Sequence, residues 1–148
     1  MPDAIEKTIN LNAPLGRVWQ AITDSEEFGT WFKVKLEGPF VVGEKSFGQI
    51  THPGYEHLRW EADVVTMEPE RLFALRWCPY GGDPKVDYSD EPQTLVEFIL
   101  EATATGTKLI IRESGFDQIP AERRDAAFRD NSGGWDHQES NIRAHVEN

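Results

Sequence analysis

Cysteine is almost missing from this chain: Cys78 is the single one in 148 residues, so no intrachain disulfide can staple the fold. A lone thiol suits a reducing compartment, and nothing around Cys78 marks it as an activated nucleophile. Long apolar runs are missing too. No stretch approaches the ~20 residues needed to cross a bilayer as a helix. The start, Met1-Pro2-Asp3, has neither a basic nor an apolar leader region, so a cytoplasmic protein without a membrane span is expected. Basic residues are few, with 15 Lys and Arg against 26 Asp and Glu and a formal net charge of -11. Phosphate backbones and anionic lipid surfaces are held by clustered Lys and Arg. The richest basic spot here, Arg123-Arg124, is flanked by Glu122 and Asp125. Nucleic acid and membranes are therefore excluded as expected partners.

The spacings that announce common chemistries are absent as well. There is no Ser/His/Asp or Cys/His constellation, no phosphate-cradling glycine loop and no dinucleotide fingerprint. His52-Pro53-Gly54-Tyr55-Glu56-His57 puts two imidazoles and a carboxylate in one turn, but the spacing fits no closed zinc site. Asp83, Asp87, Asp90 and Glu91 lack the regular positions of a calcium loop. No catalytic residue, metal or cofactor is expected.

What the chain does have is an ordinary globular composition, 39% hydrophobic and 28% charged, in a length that suits one domain over residues 1–148. Ala4 to Leu11 reads as an opening strand with Ile5, Ile9 and Leu11 on one side and Lys7 as the exception. Asn12 as cap and Pro14 in the first turn predict a helix carrying Val18, Trp19 and Ile22; Thr23-Asp24-Ser25 then opens a shorter helix through Phe28 towards Trp31. Strands are expected at Phe32–Glu37, Lys45–Thr51, Arg59–Met67, Arg71–Trp77, Thr94–Thr103 and Thr107–Ser114. Their alternation is one-sided. Trp60, Ala62 and Val64 share a face, as do Phe73, Leu75 and Trp77, and Val96, Phe98 and Leu100. Such antiparallel strands need a cover, and the only element long enough is a helix from Pro120 to Val146. The Gly-, Pro- and Asp-rich stretch from Pro79 to Pro92 is long for a hairpin connection, the kind of loop that is often functional or mobile.

The final helix has two edges to its inner face. Phe128, Trp135, Ile142 and Val146 form an apolar seam, and Asn131, Gln138 and His145 repeat beside it at heptad spacing. Uncharged polar groups on an inner edge suit a helix that closes over a cavity; ordinary wet boundary positions are the alternative. Within the helix, Gly133-Gly134 costs about 1 kcal/mol per glycine relative to alanine, which suggests close approach of a strand or ligand, with a local kink as the alternative.

Strand, two helices, a strand meander and a long closing helix is the order of the helix-grip fold, an α+β architecture in which a curved antiparallel sheet wraps around the last helix. The sequence resembles the START-like, birch-pollen-allergen-like superfamily (SRPBCC), and within it the bacterial proteins similar to the activator of heat shock protein 90 ATPase. The resemblance spans nearly the whole chain. It is carried by Pro14 with Val18-Trp19, Trp31-Phe32, Glu68-Pro69-Glu70-Arg71-Leu72 before Arg76-Trp77, and Thr94-Leu95-Val96-Glu97-Phe98. Glu113-Ser114-Gly115-Phe116 and Gly134-Trp135 with Gln138, Asn141 and Ile142 complete it. Many relatives carry a large apolar residue where this chain has Glu139, so looser closure of the last helical turns is expected. The superfamily includes lipid binders, hormone receptors, aromatase/cyclases and co-chaperone domains, so the resemblance implies a fold more than a function.

Five tryptophans and eight phenylalanines make an apolar pocket the expected feature, with the inward Trp60, Phe73, Trp77, Phe98 and Trp135 as walls or equally as core. Asn131, Gln138 and Arg76 are the candidates to orient a ligand. Glu113 falls on the same side as Leu109 and Ile111, where it serves either as an acid or base at a cavity mouth or as an edge salt bridge to Arg76 or Arg112. Three functions remain open: binding of a small apolar or aromatic molecule without catalysis, co-chaperone-like modulation of a heat shock protein ATPase, and a cyclase- or hydrolase-type reaction using Glu113.

Overall fold

A computed structural model describes residues 3–147; Met1-Pro2, on which the reading of the chain's start rests, and Asn148, the last residue of the expected domain, lie outside the described residues. Strand β1 (Ala4–Leu11) leads into helices α1 (Leu15–Thr23) and α2 (Ser25–Phe32). The chain then runs through β2 (Val34–Leu36), β3 (Lys45–Ile50), β4 (Arg59–Glu68), β5 (Leu72–Trp77), β6 (Thr94–Ala102) and β7 (Thr107–Ser114). A short 3-10 turn (Phe116–Gln118) precedes helix α3 (Ala121–Val146). The seven strands form one antiparallel sheet in the order β1-β7-β6-β5-β4-β3-β2, so the meander is sequential and β1 closes against the last strand. With two short helices after the first strand and a long helix across one sheet face, this is the helix-grip α+β fold.

The one-sided strands behave as their alternation predicts. Trp60, Ala62, Val64, Phe73, Leu75, Val96, Phe98 and Leu100 are all buried beneath the helices. A register shift between Val64 and Thr66 in the β4–β5 pairing inserts a bulge, and bulges strengthen the local twist that lets a sheet curl round a helix. Phe28 of α2 is the hub of the core, with ring contacts to Trp31, Phe32, Phe40, Trp60 and Phe98. Lys7, the inward exception of β1, reaches Asp136 of α3 at 2.9 Å.

Three local expectations need correction. Asn12 is not the cap of α1: Pro14 takes that place, its carbonyl accepting from Arg17 and Val18, while the Asn12 N–H donates to Glu147 at 2.8 Å. Phe32 belongs to α2 rather than to a strand, because the helix runs one residue on until Lys33 takes the left-handed conformation (φ 71°) and donates its N–H to Gly29. Gly29 is required there, since a side-chain carbon would collide with the Val34 carbonyl as the chain doubles back. Finally, the last turns of α3 are not loose despite Glu139. Ile142 and Val146 are buried, Arg143 donates to the Asn10 carbonyl at 2.8 Å, and Glu139 sits exposed enough to pair with Arg143 at 3.8 Å.

Candidate functional site

The inner edge of α3 meets the end of β7 at Glu113. Residues 109, 111 and 113 point inward together, which carries the Glu113 carboxylate into the core with no solvent exposure. Four side chains donate to it: Trp77 Nε1 from β5 at 2.8 Å, Thr94 Oγ1 from β6 at 2.6 Å, Trp135 Nε1 from α3 at 2.8 Å, and Asn131 Nδ2 from α3 at 3.0 and 3.1 Å to its two oxygens. The carboxylate therefore acts only as an acceptor, and three strands and the closing helix converge on it. A buried carboxylate is costly unless its oxygens are hydrogen-bonded, and here both are. The expected edge salt bridge to Arg76 or Arg112 does not form. Arg112 lies on the outer face between Glu6 and Glu97 (3.7 Å to each), and Arg76 is exposed on the face of β5 opposite Trp77.

The rest of the polar edge is likewise committed to the fold. Gln138 donates to the Phe32 carbonyl at 3.1 Å and accepts from Asn141 at 3.0 Å, holding the end of α2 to α3. His145 meets Glu27 of α2 at 2.9 Å, and Glu27 also binds Arg17 of α1. Burial works to raise the Glu27 carboxyl, but the hydrogen bonds from His145 and Arg17 outweigh it and hold the group below the usual range. The heptad repeat of Asn131, Gln138 and His145 is thus a seam of cross-element hydrogen bonds, neither a wet boundary nor a row of free groups.

A cavity of about 400 Å³ opens beside this network. Its inner wall is Phe32, Trp60, Trp77 and Asn131, and its outer wall is the loop 79–92, pinned where Arg59 N donates to the Gly82 carbonyl at 2.8 Å. Trp60 and Trp77 meet edge to face with ring centres 5.4 Å apart. A smaller hollow of about 140 Å³ continues past Trp77 and Asn131 to Trp135 and Gln138, and here Trp77 and Trp135 stack at 5.7 Å. The loop is moored on its far side by Tyr80, which donates to Glu91 at 3.0 Å and lies under the Arg123 guanidinium at 4.8 Å. Burial and the bond to Glu91 push the Tyr80 phenol up. Burial also pushes up the Cys78 thiol, which lines the cavity, with Glu91 adding to the rise and Tyr80 opposing it. Such a thiol is a poor nucleophile.

Of the expected site residues, Trp60, Trp77 and Asn131 line the larger cavity, and Trp135 and Gln138 join Trp77 and Asn131 around the smaller one. Phe73 and Phe98 line neither: both are fully buried, stacked on each other at 5.9 Å, with Phe40 and Trp135 covering their remaining faces. Arg76 faces water, because β5 alternation puts it on the outer face. Sequence reasoning missed Phe32, misread as a strand residue, and Thr94, although Thr94 shares a face with Val96 and Phe98 and was legible by alternation. The close approach of a strand expected at Gly133-Gly134 is absent, since a side-chain carbon at either would meet nothing within 4 Å, and Gly134 lines the smaller hollow. Among the described residues no group of three or more His, Cys, Asp or Glu could hold a metal ion, and no helix is long and apolar enough to cross a membrane.

Residues 12–147 match the family described as Activator of Hsp90 ATPase homolog 1-like protein. A comparison with curated proteins returned no match. Among solved structures, a protein from Arthrobacter aurescens superposes with a TM-score of 0.79 at 17% identity, covering 97% of this chain and 86% of that one. Protein MLL2253 from Mesorhizobium loti gives 0.75 at 21%, covering 97% and 96%. DynU16, a protein in the dynemicin biosynthetic locus, gives 0.77 at 20% and covers 99% of this chain, which spans only 48% of that longer one. Identities this low speak for the fold alone.

Proposed function

This chain belongs to the Activator of Hsp90 ATPase homolog 1-like family, in the START-like superfamily, and from that premise and the geometry above we propose that it binds one small apolar or aromatic molecule between the sheet, the loop 79–92 and α3, and releases it unchanged. The observation that carries this is the cavity of about 400 Å³ walled by Phe32, Trp60 and Trp77, a size within the range of small-molecule sites. Binding without turnover is supported by Glu113, the carboxylate best placed to act as an acid or base. It is fully buried, and its oxygens are held by four donors, so it braces the wall instead of meeting a ligand.

The test is a titration with N-phenyl-1-naphthylamine, a neutral aromatic probe. Saturable quenching of tryptophan fluorescence together with a rise in melting temperature is expected, since a ligand that binds only the folded state stabilises it by mass action. Neither response at saturating probe would overturn the proposal. The family name supports a second reading, modulation of a chaperone ATPase, which gains ground if probes fail and the purified protein instead changes the ATPase rate of a heat shock protein 90.

A further inference from the structure

The indole donors around this cavity and the Asn131 amide are spent inside the protein, which leaves the Tyr88 hydroxyl and the Arg59 guanidinium as the further donors on its lining. Trp77 Nε1 and Trp135 Nε1 donate to Glu113, Trp60 Nε1 donates to Ser46 Oγ at 3.0 Å, Asn131 Nδ2 donates to Glu113, and Gln93 Nε2 donates to Asp63 at 3.1 Å. What these residues still offer is π surface, chiefly that of the half-buried Trp77, and acceptor oxygens from Asn131 and Gln93. The charged groups lean the same way. Glu61, Asp83 and Asp87 stand along the larger cavity against a single Arg59, and Asp130 is the one charged residue lining the smaller hollow. Lys45 lies 4.0 Å from Glu61 and 3.1 Å from Asp63, and Lys85 of the loop stands between the lining residues Pro84 and Val86. Asp83 and Asp87 take backbone N–H groups of their own loop, from Lys85 and Ser89, rather than a cationic partner. Around all of this stands a chain of net charge -11.

We infer that the ligand of this cavity is an organic cation, an ammonium group carried on an apolar or aromatic body; the inference rests on the binding reading above. Indole faces attract a cation through their quadrupole, and a site depleted of donors but supplied with acceptors complements a group that only donates. The carboxylates at the rim add long-range attraction, which salt weakens. A carboxylate or phosphate ligand would meet the opposite of what it needs.

Three probes of one shape test this: 2-naphthylmethylamine as the cation, 2-naphthalenemethanol as the neutral form and 2-naphthoate as the anion, each titrated against tryptophan fluorescence at low and physiological salt. The cation is expected to bind about ten-fold more tightly than the alcohol, the anion more weakly than either, and the cation's advantage to shrink with salt. The combined variant Glu61→Gln, Asp83→Asn, Asp87→Asn should lose most of that advantage, read as the ratio of amine to alcohol affinity within the variant itself. A control with Glu6, Glu26 and Glu101 changed to Gln removes the same charge at positions that line neither hollow and should keep the advantage. If the alcohol binds and the amine gains nothing, or the naphthoate binds best, the cation inference is overturned and the binding reading stands. If no probe binds, both fall.

Discussion

Glu113 shows at single-residue scale why a polar group is found in the core of this molecule. Its carboxylate joins β5, β6, β7 and α3 through Trp77, Thr94, Trp135 and Asn131, so the indole rings that wall the cavity are oriented by their N–H groups. Glu113→Leu should leave several buried donors unpaired and cost on the order of 4 kcal/mol in urea unfolding, with Glu113→Gln costing about 1–3 kcal/mol because its amide turns a donor toward donors. A Gln variant as stable as the wild type would contradict this account of the network. The inward direction of Glu113 was legible from its alternation with Leu109 and Ile111. Its partners were not, since they come from positions 77, 94, 131 and 135, and only the assembled fold brings those together.

At the scale of elements, the three helices are tied by the Arg17–Glu27–His145 cluster, one residue from each. Because the folded Glu27 carboxyl is held below its ordinary value of 4.5, it contributes stability that is fully present well above that value and is lost as pH falls below 4.5 through the folded value. Melting curves of wild type and Glu27→Gln should therefore differ at pH 7 and converge in acid, after allowance for the other carboxylates through their common slope. A gap that stays constant down to pH 3 would rule the linkage out. Helix α3 also carries Gly133, exposed and with open space where a side chain would go. Gly133→Ala should raise stability by about 1 kcal/mol, and a destabilised protein would mean that the glycine serves a close approach after all. Strand and helix identities, and the bounds of β1 and β7, could be read from periodicity. The run-on of α2 to Phe32 could not, because it depends on Lys33 accepting a left-handed conformation that lysine does not advertise, and that one residue decides whether Phe32 walls the cavity.

The whole molecule is a sheet curled over one long helix, with the loop 79–92 standing off as a partial wall. Its long, Gly- and Pro-rich composition flagged this loop in the sequence, but its place over the cavity follows from pairing with the start of β4 and from the Tyr80–Arg123–Glu91 mooring on α3. On the proposed function, a small molecule enters between that loop and the inner aromatics. The five indole N–H resonances of the nitrogen-15 labelled protein test it most directly, followed during titration with N-phenyl-1-naphthylamine. Trp60, Trp77 and Trp135 line the hollows and should shift progressively and saturably, while Trp19 and Trp31, which line none of them, should stay in place. Uniform small shifts of all five, or none at all at saturating probe, would contradict the claim.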